Sequence, residues 1–110
     1  MHIGAVNLET PVLLAPMAGI TDVPFRLLCR ELGGVGLACS ELLNSHAIVR
    51  GVPAVRNKAI PHPDDSPLSV QVYGNVEDPL PEAAAWAAAN GAAFIDINMG
   101  CPVDKVCKKK

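Results

Sequence analysis

Pro11-Val12-Leu13-Leu14-Ala15-Pro16 is the stretch on which the reading of the fold turns. Its apolar core is unbroken and proline bounds it on both sides. A run without polar alternation suits a strand buried on both faces, the pattern of a parallel sheet. Upstream, Ile3 to Leu8 reads as a short strand or hairpin leading inward. Downstream, Asp22 can cap a helix by accepting from free N–H groups of the first turn, where Pro24 costs little. Leu27, Leu28 and Leu32 form an apolar stripe on that helix, and Gly33-Gly34 ends it.

The same alternation continues along the chain. Val35 to Ser40 is a second short apolar strand, and Asn44 to Val55 is helical in part. Pro53, Pro61, Pro63 and Pro67, with Asp64-Asp65-Ser66, mark a long irregular connection rather than a core element. Leu68 to Val72 is a third strand. Asp78 is placed to cap the next helix, with Pro79 at its first position and Asn90-Gly91 as its stop. Phe94 to Asn98 is a fourth strand, running into Met99-Gly100-Cys101-Pro102. Strand and helix in strict alternation predict a parallel sheet with right-handed crossovers. Alternation alone permits either a barrel or an open doubly wound sheet.

The chain has 110 residues, half of them apolar and 18% charged, an ordinary globular balance for one domain. A net charge of −2 does not advertise a nucleic-acid binder, although Lys108 to Lys110 gather positive charge at the end. Met1-His2-Ile3-Gly4 lacks the basic and apolar regions of a secretory signal, and Ala83 to Ile95 is too short and weak to span a bilayer. The expected compartment is therefore cytoplasmic, with Cys29, Cys39, Cys101 and Cys107 as reduced thiols. They contain no C-x-x-C pair, so no metal site is expected, and Cys29 and Cys39 read as small core residues.

In either α/β architecture the ligand site lies at the carboxyl ends of the strands. The unusual residues fall there: Pro16-Met17-Ala18-Gly19 after the first strand, Ser40-Glu41 after the second, Gln71 and Gly74 on the third, Asn98 and Cys101 on the fourth. Pro16 to Gly19 lets backbone approach a flat ligand closely, or is simply a tight turn. The Gln71 amide can both donate and accept, matching the polar edge of a flavin ring, or it faces solvent on an edge strand. Asn98 is similar, and its neighbour Asp96 reads as a structural partner for backbone groups. No Gly-x-Gly-x-x-Gly joins a strand to a helix, which argues against a Rossmann dinucleotide site. Cys101 sits between Gly100 and Pro102, an odd place for a core thiol. An unperturbed thiol, with a pKa of about 8.5, can act as a general acid, whereas Lys105 nearby would favour the nucleophilic thiolate. Both roles stay open on the sequence. Cys107, beside the lysines, reads as an incidental exposed thiol.

Ala15-Pro16-Met17-Ala18-Gly19-Ile20-Thr21-Asp22, Ser40-Glu41, Val70 to Gly74, and Asp96 to Val106 with its Gly-Cys-Pro resemble the tRNA-dihydrouridine synthases, the bacterial B-type branch in particular. The resemblance runs the length of the chain. It implies the N-terminal half, about four parallel strands, of a (β/α)₈ TIM barrel that holds FMN at its C-terminal mouth. Pro16, Met17, Ala18 and Gln71 would match cofactor contacts, Asn98 a residue near flavin and uracil, and Cys101 the catalytic acid. The implied reaction is reduction of uridine in tRNA to 5,6-dihydrouridine with NADPH. Residues 1 to 110 would then be an incomplete FMN-binding barrel domain, lacking the C-terminal half and the helical tRNA-binding domain of the family. Two other readings compete: an inactive half-barrel fragment, and another FMN barrel acting on a small molecule, which Gly-Cys-Pro disfavours. A redox or metal module built on Cys101 and Cys107 has only two thiols behind it.

Overall fold

The computed structural model describes residues 1–101. Pro102 to Lys110, with Lys105, Cys107 and the terminal lysines, lie outside the described residues. The elements in order are β1 (His2–Ile3), β2 (Val6–Asn7), β3 (Leu13–Leu14), α1 (Val23–Leu32), β4 (Leu37–Cys39), β5 (Leu43–Asn44), α2 (Ser45–Val49), α3 (Pro53–Ala59), β6 (Leu68–Tyr73), α4 (Leu80–Ala89) and β7 (Phe94–Ile97). β1 and β2 form the antiparallel hairpin expected at the start. All other pairings are parallel: β3 with β4, β4 and β5 with β6, and β6 with β7.

The topology separates the two architectures that alternation left open. Ser69 pairs with both Cys39 and Phe94, and Val72 with both Leu43 and Ile97, so β4 and β5 share one edge of β6 and β7 takes the other. β4 and β5 are therefore two segments of one strand position. Spatial order follows sequence order without reversal, as in a barrel. A doubly wound sheet would reverse at a switch point. The sheet is the N-terminal portion of a (β/α)₈ barrel.

Period-2 alternation divides the faces. Leu68, Val70 and Val72 of β6 pack with Ala38, Leu43, Ile48 of α2, and Ala83 and Ala87 of α4 in one buried cluster. Small alanines on α4 let that helix lie close to the sheet. On the other face, which would look into the barrel, Cys39, Ser69, Gln71 and Asp96 are polar or thiol residues. All six residues of β6 are buried, the polar Ser69 and Gln71 of the inner face included. The first strand departs from the expectation of burial on both faces. Leu13 is half exposed because β3 is paired on one side only among the described residues.

Helix α1 begins as the sequence predicts: Asp22 accepts from Phe25 N at 3.0 Å, Pro24 sits in the first turn, and Gly33 caps the end with φ +90°. Its inward face does not. Arg26 is buried, while Leu28 and Leu32 are 53% and 81% exposed. The reason lies in the proline-rich connection, which supplies a core group after all. Asp65, fully buried, binds Arg26 Nε at 2.7 Å and Arg30 Nε at 3.0 Å. Arg26 Nη1 also donates to Thr21 O at 2.6 Å, and Arg30 Nη2 to Pro67 O at 2.6 Å. Charge pairing, rather than the leucine stripe, fastens α1 to the segment that leads into β6.

Two local expectations are corrected. Pro53 opens α3 instead of breaking the chain into coil, consistent with its fitness for a first helical position. Asp78 does not cap α4. Pro79 occupies the cap position, and the Asp78 carboxylate accepts from Asn75 N at 2.7 Å and meets His46 Nε2 at 2.8 Å. A nearer loop amide and an imidazole hold the side chain, so it ties the β6–α4 loop to α2.

Candidate active site at the strand ends

The second strand position owes its shape to one extra residue. Cys39 pairs with Ser69 and Leu43 with Val72, so four steps on one strand match three on the other. Such an insertion bends the strand and re-aims its side chains. Ser40 fills the gap: its N–H donates to Ser69 O at 2.9 Å, and its Oγ accepts from Gln71 N at 3.0 Å. Glu41 is turned toward the β3–α1 loop, where its Oε1 accepts from Gly19 N, and Lys58 Nζ lies 3.9 Å from Oε2.

That loop is folded on itself. Met17 O accepts from Ile20 N and Thr21 N at 3.0 and 2.9 Å, while Met17 N donates to the buried Thr21 Oγ1 at 3.0 Å. Gly19 adopts φ +74°, a conformation that disfavours any side chain. The turn presents Pro16 and Ala18 to a cleft of about 440 Å³ that Gln71, Asn98 and Cys101 also line, together with Leu42, Met99 and Gly100. Five residues singled out from the sequence thus meet in one cleft from three strand ends. Met17 is not among its lining residues; its backbone shapes the turn instead.

Gln71 does not face solvent. It is 7% exposed on the central strand, and β7 covers one side. Its Nε2 donates to Asp96 Oδ2 at 2.5 Å, and its Oε1 accepts from Asn98 Nδ2 at 3.3 Å. Asn98 Oδ1 in turn accepts from Gly100 N at 3.2 Å and Cys101 N at 3.0 Å. The loop bearing Cys101 is therefore held by an Asx-type turn. Asp96 serves side chains, not the backbone groups expected from the sequence. Register explains this, because Asp96 lies directly across from Gln71.

Cys39 also reaches Asp96, its Sγ lying 3.8 Å from Oδ2. Burial pushes the Cys39 thiol up to about 11, and the Asp96 charge and hydrogen bond push the same way; a hydrogen bond with Ser69 and the Arg26 charge oppose them. At neutral pH this thiol keeps its proton and remains a donor. The core role expected for Cys39 is what the structure shows, while Cys29 is only half-buried. Below the mouth, Leu13, Leu37, Cys39, Ser69 and Asp96 border a second cavity of about 260 Å³ on the inner face. Among the described residues no cluster of His, Cys, Asp and Glu could hold a metal ion. No described helix is long and apolar enough to cross a membrane.

Sequence reasoning understated Ser40, Glu41 and Leu42. The signal was present in a polar pair interrupting an apolar strand, which is how a bulge at a sheet end often reads. The part played by Asp96 needed the register and could not be read from spacing.

Comparison with known proteins agrees with this geometry. The dihydrouridine synthase (Dus) family profile matches residues 13–110. The chain is 46% identical over 107 residues to tRNA-dihydrouridine synthase B of Xanthomonas axonopodis pv. citri, covering 97% of this chain and 32% of the relative. It is 45% identical over 109 residues to tRNA-dihydrouridine synthase B of Pseudomonas aeruginosa, covering 99% and 32%. A probable tRNA-dihydrouridine synthase of Rhodobacter capsulatus is 47% identical over 107 residues, covering 96% and 33%. The chain spans about a third of the length of these curated relatives. Family profile, strand-end motifs and barrel topology coincide, and the chain belongs to the dihydrouridine synthase family.

Proposed function

We propose that this chain forms part of the active-site mouth of a tRNA-dihydrouridine synthase that reduces uridine in tRNA with FMN and NADPH. The observation that carries the reading is the meeting of Pro16, Ala18, Gln71, Asn98 and Cys101 in one cleft at the carboxyl end of a barrel sheet. The donor set suits a flat heteroaromatic ring. Pro16 and Ala18 offer small apolar surface, and Gln71 and Asn98 offer amides. A side-chain amide has two N–H donors and two acceptor lone pairs. The bond to Asp96 and the bond from Asn98 use one of each on Gln71, so it retains a donor and an acceptor for the edge of a ring.

Pro16, Ala18 and Gln71 would hold FMN, which, reduced by NADPH, would supply the hydride for C6 of the uracil. The chain's own residues supply positioning and a proton. A uracil stacked in RNA cannot lie face to face with a ring in this cleft, so the nucleotide must be flipped out. Asn98, at the cleft wall, is placed to orient the base. Cys101 Sγ–H gives its proton to C5, and the resulting thiolate is reprotonated from solvent through the open side of the cleft. The hydrogen bonds from Gly100 N and Cys101 N to Asn98 Oδ1 hold the backbone of the loop that carries the thiol.

The test uses a protein of the relatives' full length that carries this chain. It should be yellow with bound FMN, and Cys101→Ala should leave flavin reduction by NADPH intact. Uridine reduction should fall roughly 10²- to 10⁴-fold, the usual contribution of general acid catalysis. Equal loss in both half-reactions would make Cys101 structural and sink this assignment. Failure to take up FMN would sink the cofactor.

A further inference from the structure

Asp96 lies one residue pair away from the cleft lining, and no part of the proposed chemistry uses it. Its carboxylate heads an unbroken series of hydrogen bonds. Asp96 Oδ2 accepts from Gln71 Nε2 at 2.5 Å, Gln71 Oε1 accepts from Asn98 Nδ2 at 3.3 Å, and Asn98 Oδ1 accepts from Cys101 N at 3.0 Å and Gly100 N at 3.2 Å. Each side-chain amide has a donor end and an acceptor end of nearly equal shape, so it can sit in either of two orientations. An ionised carboxylate only accepts, and a backbone N–H only donates. The series is thus pinned at both ends with matching polarity: acceptor at Asp96, donors at Gly100 and Cys101. Reversal of either amide would place N–H against N–H or oxygen against oxygen.

We infer that Asp96 is a positioning residue, which sets the orientation of the Gln71 and Asn98 amides and through them holds the loop that carries Cys101. The inference rests on the reading of Cys101 as proton donor only for its catalytic consequence; the linkage itself is a property of this chain. Gln71 is 7% exposed, and Cys39 donates to the same Asp96 oxygen, so the carboxylate is held as the acceptor at this end of the series. Loss of Asp96 leaves the Gln71 amide free to turn. The turned amide presents N–H to Asn98, Asn98 must turn in response, and its oxygen leaves the Gly100 and Cys101 amides.

The readouts need neither flavin nor tRNA: hydrogen exchange of the Gly100 and Cys101 amides by NMR, and the iodoacetamide reaction rate of Cys101 followed by peptide mass spectrometry. In the unsubstituted chain both amides should be protected. Asp96→Ala should speed their exchange roughly fivefold, the factor equivalent to one hydrogen bond of about 1 kcal/mol, and change the Cys101 alkylation rate. Gln71→Glu sets two carboxylates against each other; their repulsion drives the substituted side chain away from Asp96 and Asn98 and should do the same. The double variant Asp96→Asn with Gln71→Glu restores a donor facing an acceptor and leaves an acceptor for Asn98, so protection should return. This rescue keeps the test decisive even if Asp96→Ala fails to fold. Unprotected Gly100 and Cys101 amides in the unsubstituted chain, or a double variant no better than Gln71→Glu alone, would overturn the inference. Neither result touches the Cys101→Ala test of function, so the two readings fail separately.

Discussion

Asp65→Ala is the substitution with the largest expected effect on the stability of this chain. Asp65 is fully buried and neutralises Arg26 and Arg30 through bonds of 2.7 and 3.0 Å. Arg26 is itself 2% exposed, so it cannot turn to water when its partner is removed. Its Nη2 already has no partner among the described residues, which leaves the guanidinium with only Thr21 O. Removing one member of a buried pair typically costs about 3–5 kcal/mol because a charge is stranded. A domain of this size has a total stability of roughly 5–15 kcal/mol, so the variant would lose about a fifth of it or more. With a urea m-value of about 1–3 kcal/mol/M, the unfolding midpoint should fall by at least about 1 M. The physical claim is that the stranded charge dominates, not the lost contact. Arg26→Met combined with Asp65→Ala should therefore recover much of the loss, giving a strongly non-additive cycle. A single-variant loss under about 1 kcal/mol, or strictly additive costs, would refute the reasoning.

Three other outcomes are expected. Gln71→Ala in a protein of the relatives' length should weaken FMN binding, read by flavin fluorescence titration; unchanged affinity would remove Gln71 from the cofactor site. Cys39 has an ordinary pKa of 9.0 when unfolded and about 11 when folded, mainly through burial. Unfolding is then favoured by thiol ionisation as pH rises, so stability present below pH 9 should decline between 9 and 11; Cys39→Ala should flatten that decline in urea titrations at each pH. Residues 1 to 110 alone should self-associate in sedimentation, because β3 and β7 each lack a partner on one side among the described residues and Val12, Leu13, Leu28, Leu32 and Ile97 are exposed. Leu13→Lys should shift the distribution toward monomer, and a monodisperse monomer without it would contradict the edge argument.

Much of the architecture was determined by sequence alone. The largely apolar runs at Leu13–Leu14, Leu37–Cys39, Leu68–Tyr73 and Phe94–Ile97 became parallel strands, because short apolar segments alternating with helices bury their residues when the helices cover a face of the sheet. Asp22 capped α1 and Asn90-Gly91 closed α4, since these are local effects of side-chain oxygen and positive φ. The cleft residues were also legible, as strand ends of an α/β sheet are where polar residues have no packing reason to be. Tertiary structure alone decided the rest. Asp65 lies in a stretch that local rules assign to surface loop, and only the approach of α1 across 39 positions of chain buries it against Arg26. The exposure of Leu28 and Leu32 follows from that same pairing, which turns the charged face of the helix inward. Asp96 meets Gln71 because β6 and β7 settle in one register, and register is a property of two strands together. Sequence states which groups a residue can bond. Which of them it meets, and with which polarity, depends on segments distant in the chain.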